Sequence, residues 1–295
     1  MPEPNHRNGK LQILNSDQAA QILGVNVSSI KRWSDSGDLV CQRTKGGHRR
    51  FSLDDLIQFS QKQKRMNSKS NLFDLNKNMN TKLIMSVFKK EFDYIIDYLF
   101  REAISGSQQN IQQILIQLYT TKSPLWQIYE DVLVPVLHLI GDKWKDNELT
   151  PIGEHIATQK IRDSIIRLQG LVKGLKRKQQ SILFLNPANE LHDIGLKMAE
   201  HIMEERGFQT YYSGQITPAN NLKDALKHFG PDIIIVASTF VEHPEKLRQE
   251  TDAIWEAVKN RDIQLYVAGN GFDEIILPES SSLVRLHSLR ELVII

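Results

Sequence analysis

Apolar residues recur at helical spacing through the first and middle parts of the chain, and short apolar runs alternate with amphipathic segments in the last part. In residues 11–65 the spacing predicts two short helices, two short strands around a pair of glycines, and a third helix. We expect Ser16 to cap the first helix, Gly24 to end it, and Ser52 to cap the third. This order is typical of a winged helix-turn-helix head.

The rest of the pattern predicts a multidomain chain. Residues 66–81 are polar with few apolar anchors and are interpreted as a linker. Residues 82–177 carry four or so long amphipathic patterns, which predict a four-helix bundle. In residues 181–295 strands alternate with helices, which predicts a Rossmann-like (flavodoxin-like) α/β domain with a parallel sheet covered on both faces.

The composition excludes several classes of protein. The chain has 295 residues, 40% hydrophobic and 24% charged, which is ordinary for soluble domains. No apolar run is long enough to span a membrane, and the first residues lack the apolar core of a signal peptide. The single cysteine, Cys41, cannot form an internal disulfide. We therefore expect a cytoplasmic protein without a membrane partner.

The charge is distributed unevenly along the chain. Residues 1–67 contain 11 Lys/Arg and 6 Asp/Glu, whereas the rest contains 26 and 29. A basic head on a slightly acidic body favours a polyanion as the partner of the head alone. The positions expected to contact DNA are the outward residues of the second helix and the polar residues of the hairpin, namely Ser28, Ser29, Lys31, Arg32, Arg43, Lys45, His48, Arg49 and Arg50.

The head resembles the MerR family of winged helix-turn-helix regulators. The residues that carry the resemblance are "AAQILGVNVSSIKRWSDSGDL" and the hairpin segment "GGHRRFSLDDL". The resemblance implies a double-stranded operator DNA as partner and at least a homodimer. The alternative interpretation is a small helical module with a solvated basic face.

A histidine turn follows the first strand of the α/β part, in "NELHDIG". Similar strand ends further on carry a serine and two glycines, so these side chains can converge on one crevice. The pattern resembles the cobalamin-binding domain of methionine synthase and of the adenosylcobalamin mutases. Its residues here are Glu190, His192, Asp193, Gly195, Ser238, Gly269 and Gly271.

The resemblance implies a role for each of these residues. His192 would be the lower axial ligand of cobalt, Glu190 would accept the other ring N–H, and Ser238 would hold Glu190. The glycines would leave room for the nucleotide tail of the cofactor. Phe240 and Asn270 depart from the pattern. Phe240 is bulkier than the usual leucine and would narrow that space, whereas the side chain of Asn270 would either point outward or fill it. The alternative interpretation is an empty α/β domain used only for oligomerisation.

The segment "GDKWKDNELTPIGEHIATQKIR" resembles the helix-bundle cap of light-sensing regulators of the CarH/LitR type. The resemblance implies that Trp144 covers the adenosyl face of adenosylcobalamin and that Glu154 and His155 contact the adenosyl ribose or neighbouring groups. In the best-known members a histidine follows the tryptophan, and here that position is Lys145. A protonated lysine is a poor ligand for cobalt.

Together these features predict a transcriptional repressor controlled by adenosylcobalamin and light. The dark form would be an oligomer, a dimer or a tetramer, that holds several heads on one operator. The first alternative is a cobalamin-sensing or partner-sensing regulator that does not use light, which Lys145 favours. The second is a cobalamin-dependent enzyme or methyl carrier. We expect no catalytic activity.

Overall fold

The computed structural model describes residues 13–23, 25–66, 81–172, 174–187, 190–215 and 222–295. Gly24 and residues 67–80 of the expected linker lie outside these ranges. The chain divides into two compact units. One comprises Met1–Arg101 and Gln113–Ser123, and the other comprises Glu102–Gln112 and Pro124–Ile295.

The head forms three helices and a small antiparallel sheet. Its elements are β1 (Ile13–Leu14), α1 (Ser16–Leu23), α2 (Val27–Asp35), β2 (Gln42–Arg43), β3 (Arg49–Ser52) and α3 (Leu53–Met66). The strand order is β1-β3-β2. The hairpin of β2 and β3 confirms the predicted wing, whereas β1 was not predicted because two residues carry no periodicity.

The cap predicted for α1 is wrong by one residue. The Asn15 N–H donates to Oε1 of Gln18 at 3.0 Å, and the Gln18 N–H donates to Oδ1 of Asn15 at 2.9 Å. This reciprocal pair is a capping box, so Asn15 caps the helix and Ser16 is its first residue. Ser52 does cap α3, because its Oγ accepts from the Asp55 N–H at 3.1 Å.

The middle of the chain is helical, as predicted, but has more segments. They are α4 (Thr81–Lys89), α5 (Phe92–Ser105), α6 (Gln108–Thr120), α7 (Leu125–Gln127), a π-helical segment (Ile128–Leu133), α8 (Val134–Lys145) and α9 (Pro151–Gln169). The compact units differ from the expected domain boundaries, because α8 and α9 group with the α/β part.

The last part is a five-stranded parallel sheet with helices between its strands. Its elements are β4 (Ser181–Leu185), α10 (Ile194–Glu205), β5 (Gln209–Tyr212), α11 (Leu222–Phe229), β6 (Ile233–Ala237), α12 (Pro244–Val258), β7 (Gln264–Ala268) and β8 (Leu283–Leu286). Short 3₁₀ helices cover Asn270–Glu274 and Leu289–Ile294. All residues of β4 and β6 are buried, as in a sheet covered on both faces.

The sheet has the strand order β5-β4-β6-β7-β8, which is the flavodoxin-like order. This confirms the predicted fold class. The order reverses between β4 and β6, so the chain leaves their carboxyl ends in different directions and opens a crevice there. No helix in the described part of the chain is long and apolar enough to cross a membrane.

Candidate functional site

His192 lies in the loop that follows β4, beside a buried carboxylate. Its ring Nδ1 is 2.8 Å from Oε1 of Glu190, and its backbone N–H donates to the same oxygen at 2.7 Å. The Glu190 side chain is 2% exposed and the His192 side chain 59% exposed. Because Nδ1 is engaged by Glu190, Nε2 is the ring atom available to a ligand.

Glu190 is held from the other side by the loop after β6. Its Oε2 accepts from Ser238 Oγ at 3.1 Å and from the backbone N–H groups of Thr239 at 2.6 Å and Phe240 at 3.2 Å. The expected contact between Ser238 and Glu190 is therefore present. Thr239 and Phe240 were not expected to take part, because their backbone groups carry no sequence signal.

The electrostatics of the pair follow from these bonds. Burial acts to raise the pKa of Glu190, but the hydrogen bonds from His192, Thr239 and Phe240 hold it below its ordinary value. The hydrogen bond to Glu190 raises the pKa of His192 against the effect of burial, and the charge of Glu154 adds to this. Glu154 belongs to α9, so this helix contributes to the negative charge around His192.

Asp193, the residue after the histidine, joins the same loop to α9. The guanidinium of Arg162 in α9 donates from Nη2 to Oδ2 of Asp193 at 2.9 Å, and the Tyr212 hydroxyl donates to that oxygen at 3.0 Å. Burial opposes ionisation, but these donors hold the pKa of Asp193 below its ordinary value. Arg162 and Tyr212 were missed by the sequence prediction, because only the fold brings them to Asp193.

The expected contacts for the upper face of the cofactor lie at the end of α8 and the start of α9. Trp144 is 47% exposed, so its indole has surface left for a ligand. Glu154 is held by the hydroxyl of Thr158, which donates to its Oε1 at 2.7 Å. His155 is exposed and lies 3.5 Å from Glu154. Lys145 ends α8 and is exposed.

The three glycines of the predicted pattern differ in their surroundings. A Cβ on Gly195 would meet no atom, so the start of α10 is open there. Gly269 has a φ of +93°, and a Cβ on it would lie 2.2 Å from the Ser238 carbonyl oxygen. A Cβ on Gly271 would lie 2.5 Å from Ser238 Oγ. Gly269 and Gly271 therefore permit close packing on the Ser238 loop.

The predicted DNA-contacting residues lie on α2 and the wing of the head. Those on α2 are exposed except Ser29, which is half-buried, and the wing residues Lys45 and His48 are exposed. Two of the wing arginines already form ion pairs with an aspartate of the head. Arg43 Nη2 lies 2.7 Å from Oδ1 of Asp35 at the end of α2, and Arg49 Nη2 lies 2.7 Å from the same oxygen. Asp35 therefore joins the wing to the recognition helix.

Arg50 is half-buried, and it pairs with Gln42 in the hairpin. Lys31 and Arg32 are exposed on α2, and in the described part of the chain neither forms an ion pair. These two cations, together with the exposed Lys45 of the wing, are therefore the most available to a phosphate or a base edge.

Family models match two separate parts of the chain. A model described as a helix-turn-helix domain matches residues 13–64, and one described as a B12 binding domain matches residues 95–169. The chain combines a helix-turn-helix domain with a B12-binding domain. This confirms the two domain types inferred from the sequence. The histidine loop lies outside the matched ranges, so its role rests on the geometry.

Two known proteins are similar to larger parts of the chain. The HTH-type transcriptional repressor CarH of Myxococcus xanthus is 25% identical over 162 residues, which cover 55% of this chain and 53% of that protein. The chain thus matches about half the length of this relative. The monomethylamine corrinoid protein of Methanosarcina barkeri is similar in structure, with a TM-score of 0.55 and 15% identity, over 69% of this chain and 95% of that one. The second likeness shows the fold.

Proposed function

We propose that the chain is a DNA-binding regulator whose second compact unit binds cobalamin. The observation that carries the proposal is the exposed His192, whose Nδ1 is fixed by the buried Glu190 at the switch point of the sheet. The domain matches and the similarity to the CarH repressor support it.

The residues of the histidine loop fit a cobalt corrinoid. A neutral imidazole is a good ligand for such an ion, and a carboxylate on its other nitrogen fixes the tautomer and raises its basicity. His192 would offer Nε2 as the lower axial ligand, while Glu190 keeps the proton on Nδ1. Ser238 and Thr239 in turn prevent Glu190 from rotating away. Cobalamin would supply the cobalt centre and, in its adenosyl form, a light-sensitive cobalt–carbon bond.

Substitution of the histidine tests the cofactor assignment. His192→Ala should lower the affinity for cobalamin by about tenfold or more, because even partners of a metal ligand contribute that much. The absorbance spectrum of the bound cofactor should also change, and the cofactor-free melting temperature should not. His287→Ala, in an exposed loop after β8, is the control. Stoichiometric cofactor with an unchanged spectrum in His192→Ala would refute the assignment.

The head would bind operator DNA as part of a homo-oligomer of the MerR type. α2 would enter the major groove, with Lys31 and Arg32 toward the DNA and the wing along the backbone.

Arg32→Ala should weaken operator binding by about 5- to 150-fold, as measured by fluorescence anisotropy at fixed salt. Lys62→Ala, an exposed cation of α3, should change it less. Equal losses of DNA affinity in both variants would mean that binding depends only on the total positive charge of the head and not on the position of Arg32.

The upper face of the site would make the regulator responsive to light. Trp144, Glu154 and His155 would cover the adenosyl group, and its loss would shift α8 and α9 relative to the sheet. The assembled dark form, a tetramer or a dimer, would bind the operator and repress transcription. The illuminated form, which has lost the adenosyl group, would release the operator. The protein would not be an enzyme, because the proposed residues bind and report the cofactor and none is assigned to a substrate.

Lys145 favours a second candidate, a cobalamin-sensing regulator without a light response. The lysine stands where a histidine would replace the lost adenosyl group, and the other histidines near this end of the bundle, His138 and His155, are both exposed. In this candidate the cofactor or a protein partner controls DNA binding directly. Illumination of the loaded protein distinguishes the two.

A further inference from the structure

Asn186 is a polar residue that the histidine network does not use. It directly follows β4 and is fully buried, with 0% of its surface exposed. Within the described residues, neither Oδ1 nor Nδ2 of its amide has a hydrogen-bond partner. Buried amides are normally paired at both ends, because an unpaired group loses its bonds to water without replacement. Both ends of this amide therefore lack a hydrogen-bond partner among the described residues.

The register of the sheet places Asn186 at the candidate crevice. Leu185 pairs with Val236 in the parallel ladder, so Asn186 lies one position further along, beside Ala237. Ser238, the residue after Ala237, donates to Glu190. Asn186 therefore lies at the carboxyl ends of β4 and β6, where the strand order reverses and where ligands bind in sheets of this kind.

The carboxylate of Glu190 cannot satisfy the amide. Its Oε2 already accepts from Ser238, Thr239 and Phe240, and its Oε1 accepts twice from His192. Each carboxylate oxygen offers about two acceptor sites, so the two donors on Oε1 fill that atom and the three donors on Oε2 leave it no free site. The neighbouring positions Leu185 and Ala237 have apolar side chains. Among the described residues none pairs with the amide of Asn186, so a bound ligand would supply its partner.

We propose that the amide of Asn186 binds the phosphoribosyl part of the nucleotide tail of a bound corrinoid. This inference rests on the proposed cobalamin function and adds a contact within that site. A neutral amide supplies a donor for a phosphate oxygen and an acceptor for a ribose hydroxyl. A buried cation in this position would need a counter-charge when the tail is absent, whereas the amide needs none.

The replacement Asn186→Leu tests the inference with two corrinoids. Cobalamin carries the nucleotide tail and cobinamide lacks it. The affinity for cobalamin should fall about tenfold or more, as expected for a hydrogen bond to a charged group, while the affinity for cobinamide stays unchanged. The melting temperature of the cofactor-free protein should equal or exceed that of the original, because the variant removes two unpaired buried groups. Asn260→Leu, in the exposed turn after α12, is the control.

Each other outcome has a definite meaning. An unchanged affinity for cobalamin would mean that the amide bonds only to buried water, which overturns the inference. Equal losses for both corrinoids would overturn it as well, since the effect would then be a general distortion. If Asn186→Leu unfolds, Asn186→Asp serves instead, and its carboxylate should weaken cobalamin binding selectively by repelling the phosphate. Failure of the unaltered protein to bind either corrinoid would reject the proposed function itself.

Discussion

Tyr129 and His201 form a buried hydrogen-bonded pair outside the candidate site. The Tyr129 hydroxyl contacts Nδ1 of His201, and both residues are at most 1% exposed. Tyr129 belongs to the π-helical segment and His201 to α10, the helix that starts just after His192. Burial, helped by the charge of Lys197, lowers the pKa of His201 to about 3. The imidazole is therefore neutral in the folded protein at ordinary pH.

The lowered pKa of His201 predicts that the folded protein loses stability in acid. Between pH 6.5 and about 3, His201 is protonated in the unfolded chain but not in the folded chain. Stability from this group is complete above pH 6.5 and falls by about 1.4 kcal/mol for each pH unit below it. At pH 5 the free energy of unfolding should be about 2 kcal/mol lower than at pH 7 on this account.

Urea unfolding at several pH values measures the effect. His201→Gln should flatten the dependence between pH 7 and pH 5, because glutamine has no proton to gain. His287→Gln, at an exposed histidine, should leave the slope unchanged. A slope that is the same in His201→Gln and in the original chain would show that His201 does not control it.

At the scale of elements, one ion pair joins α9 to the histidine loop. Asp193 is 2% exposed at its side chain and Arg162 is 28% exposed. Since α9 also carries Glu154 and Asp193 follows His192, a movement of α9 would reach the loop through this pair. A buried carboxylate left without its partner is strongly destabilised. The pair is therefore the link most suited to couple the two faces of the site.

A double-mutant cycle measures the coupling. Arg162→Met should lower the free energy of unfolding by about 3 kcal/mol, because Asp193 then loses its charged partner and keeps only neutral donors such as the Tyr212 hydroxyl. Adding Asp193→Asn should recover part of that loss, so the two effects should not add. Arg248→Met removes exposed ion pairs with Glu245 and Asp252 and should cost at most about 1 kcal/mol. Additive effects at Arg162 and Asp193 would mean that the pair carries no coupling.

At the scale of the whole molecule, the proposed light-responsive regulation would require the cofactor to change assembly. A ligand shifts an equilibrium only by the difference between its affinities for the two states, and a nearly complete switch needs about 5.5 kcal/mol. Several heads on one operator would turn such a change in assembly into a large change in DNA occupancy. The adenosyl group would have to contribute most of this difference through Trp144 and α9.

Gel filtration with in-line absorbance tests this on the full chain loaded with adenosylcobalamin in the dark. We expect the cofactor to elute with a species larger than a monomer, and green light to reduce its size. Protein loaded with hydroxocobalamin, which has no adenosyl group, is the control and should not respond to light. Co-elution of the cofactor with no change in size would favour the regulator that does not use light.

The sequence by itself determined the elements and the core of the candidate site. Helical and strand periodicity identified the helix-turn-helix head, the helical middle and the alternating α/β part, because each pattern is local. Glu190 and His192 were found for the same reason, since they are two residues apart. The strand pattern also placed Ser238 at a strand end, but its role beside Glu190 came from a resemblance that spans the domain.

Only the tertiary structure decided which distant residues meet. Arg162 meets Asp193, and Arg43 and Arg49 meet Asp35, through contacts that have no periodic signal. The unpaired amide of Asn186 is informative only once burial is known, because an asparagine after a strand is ordinary in a sequence. Long-range packing determines which polar groups are satisfied, so these features could not be predicted from local patterns.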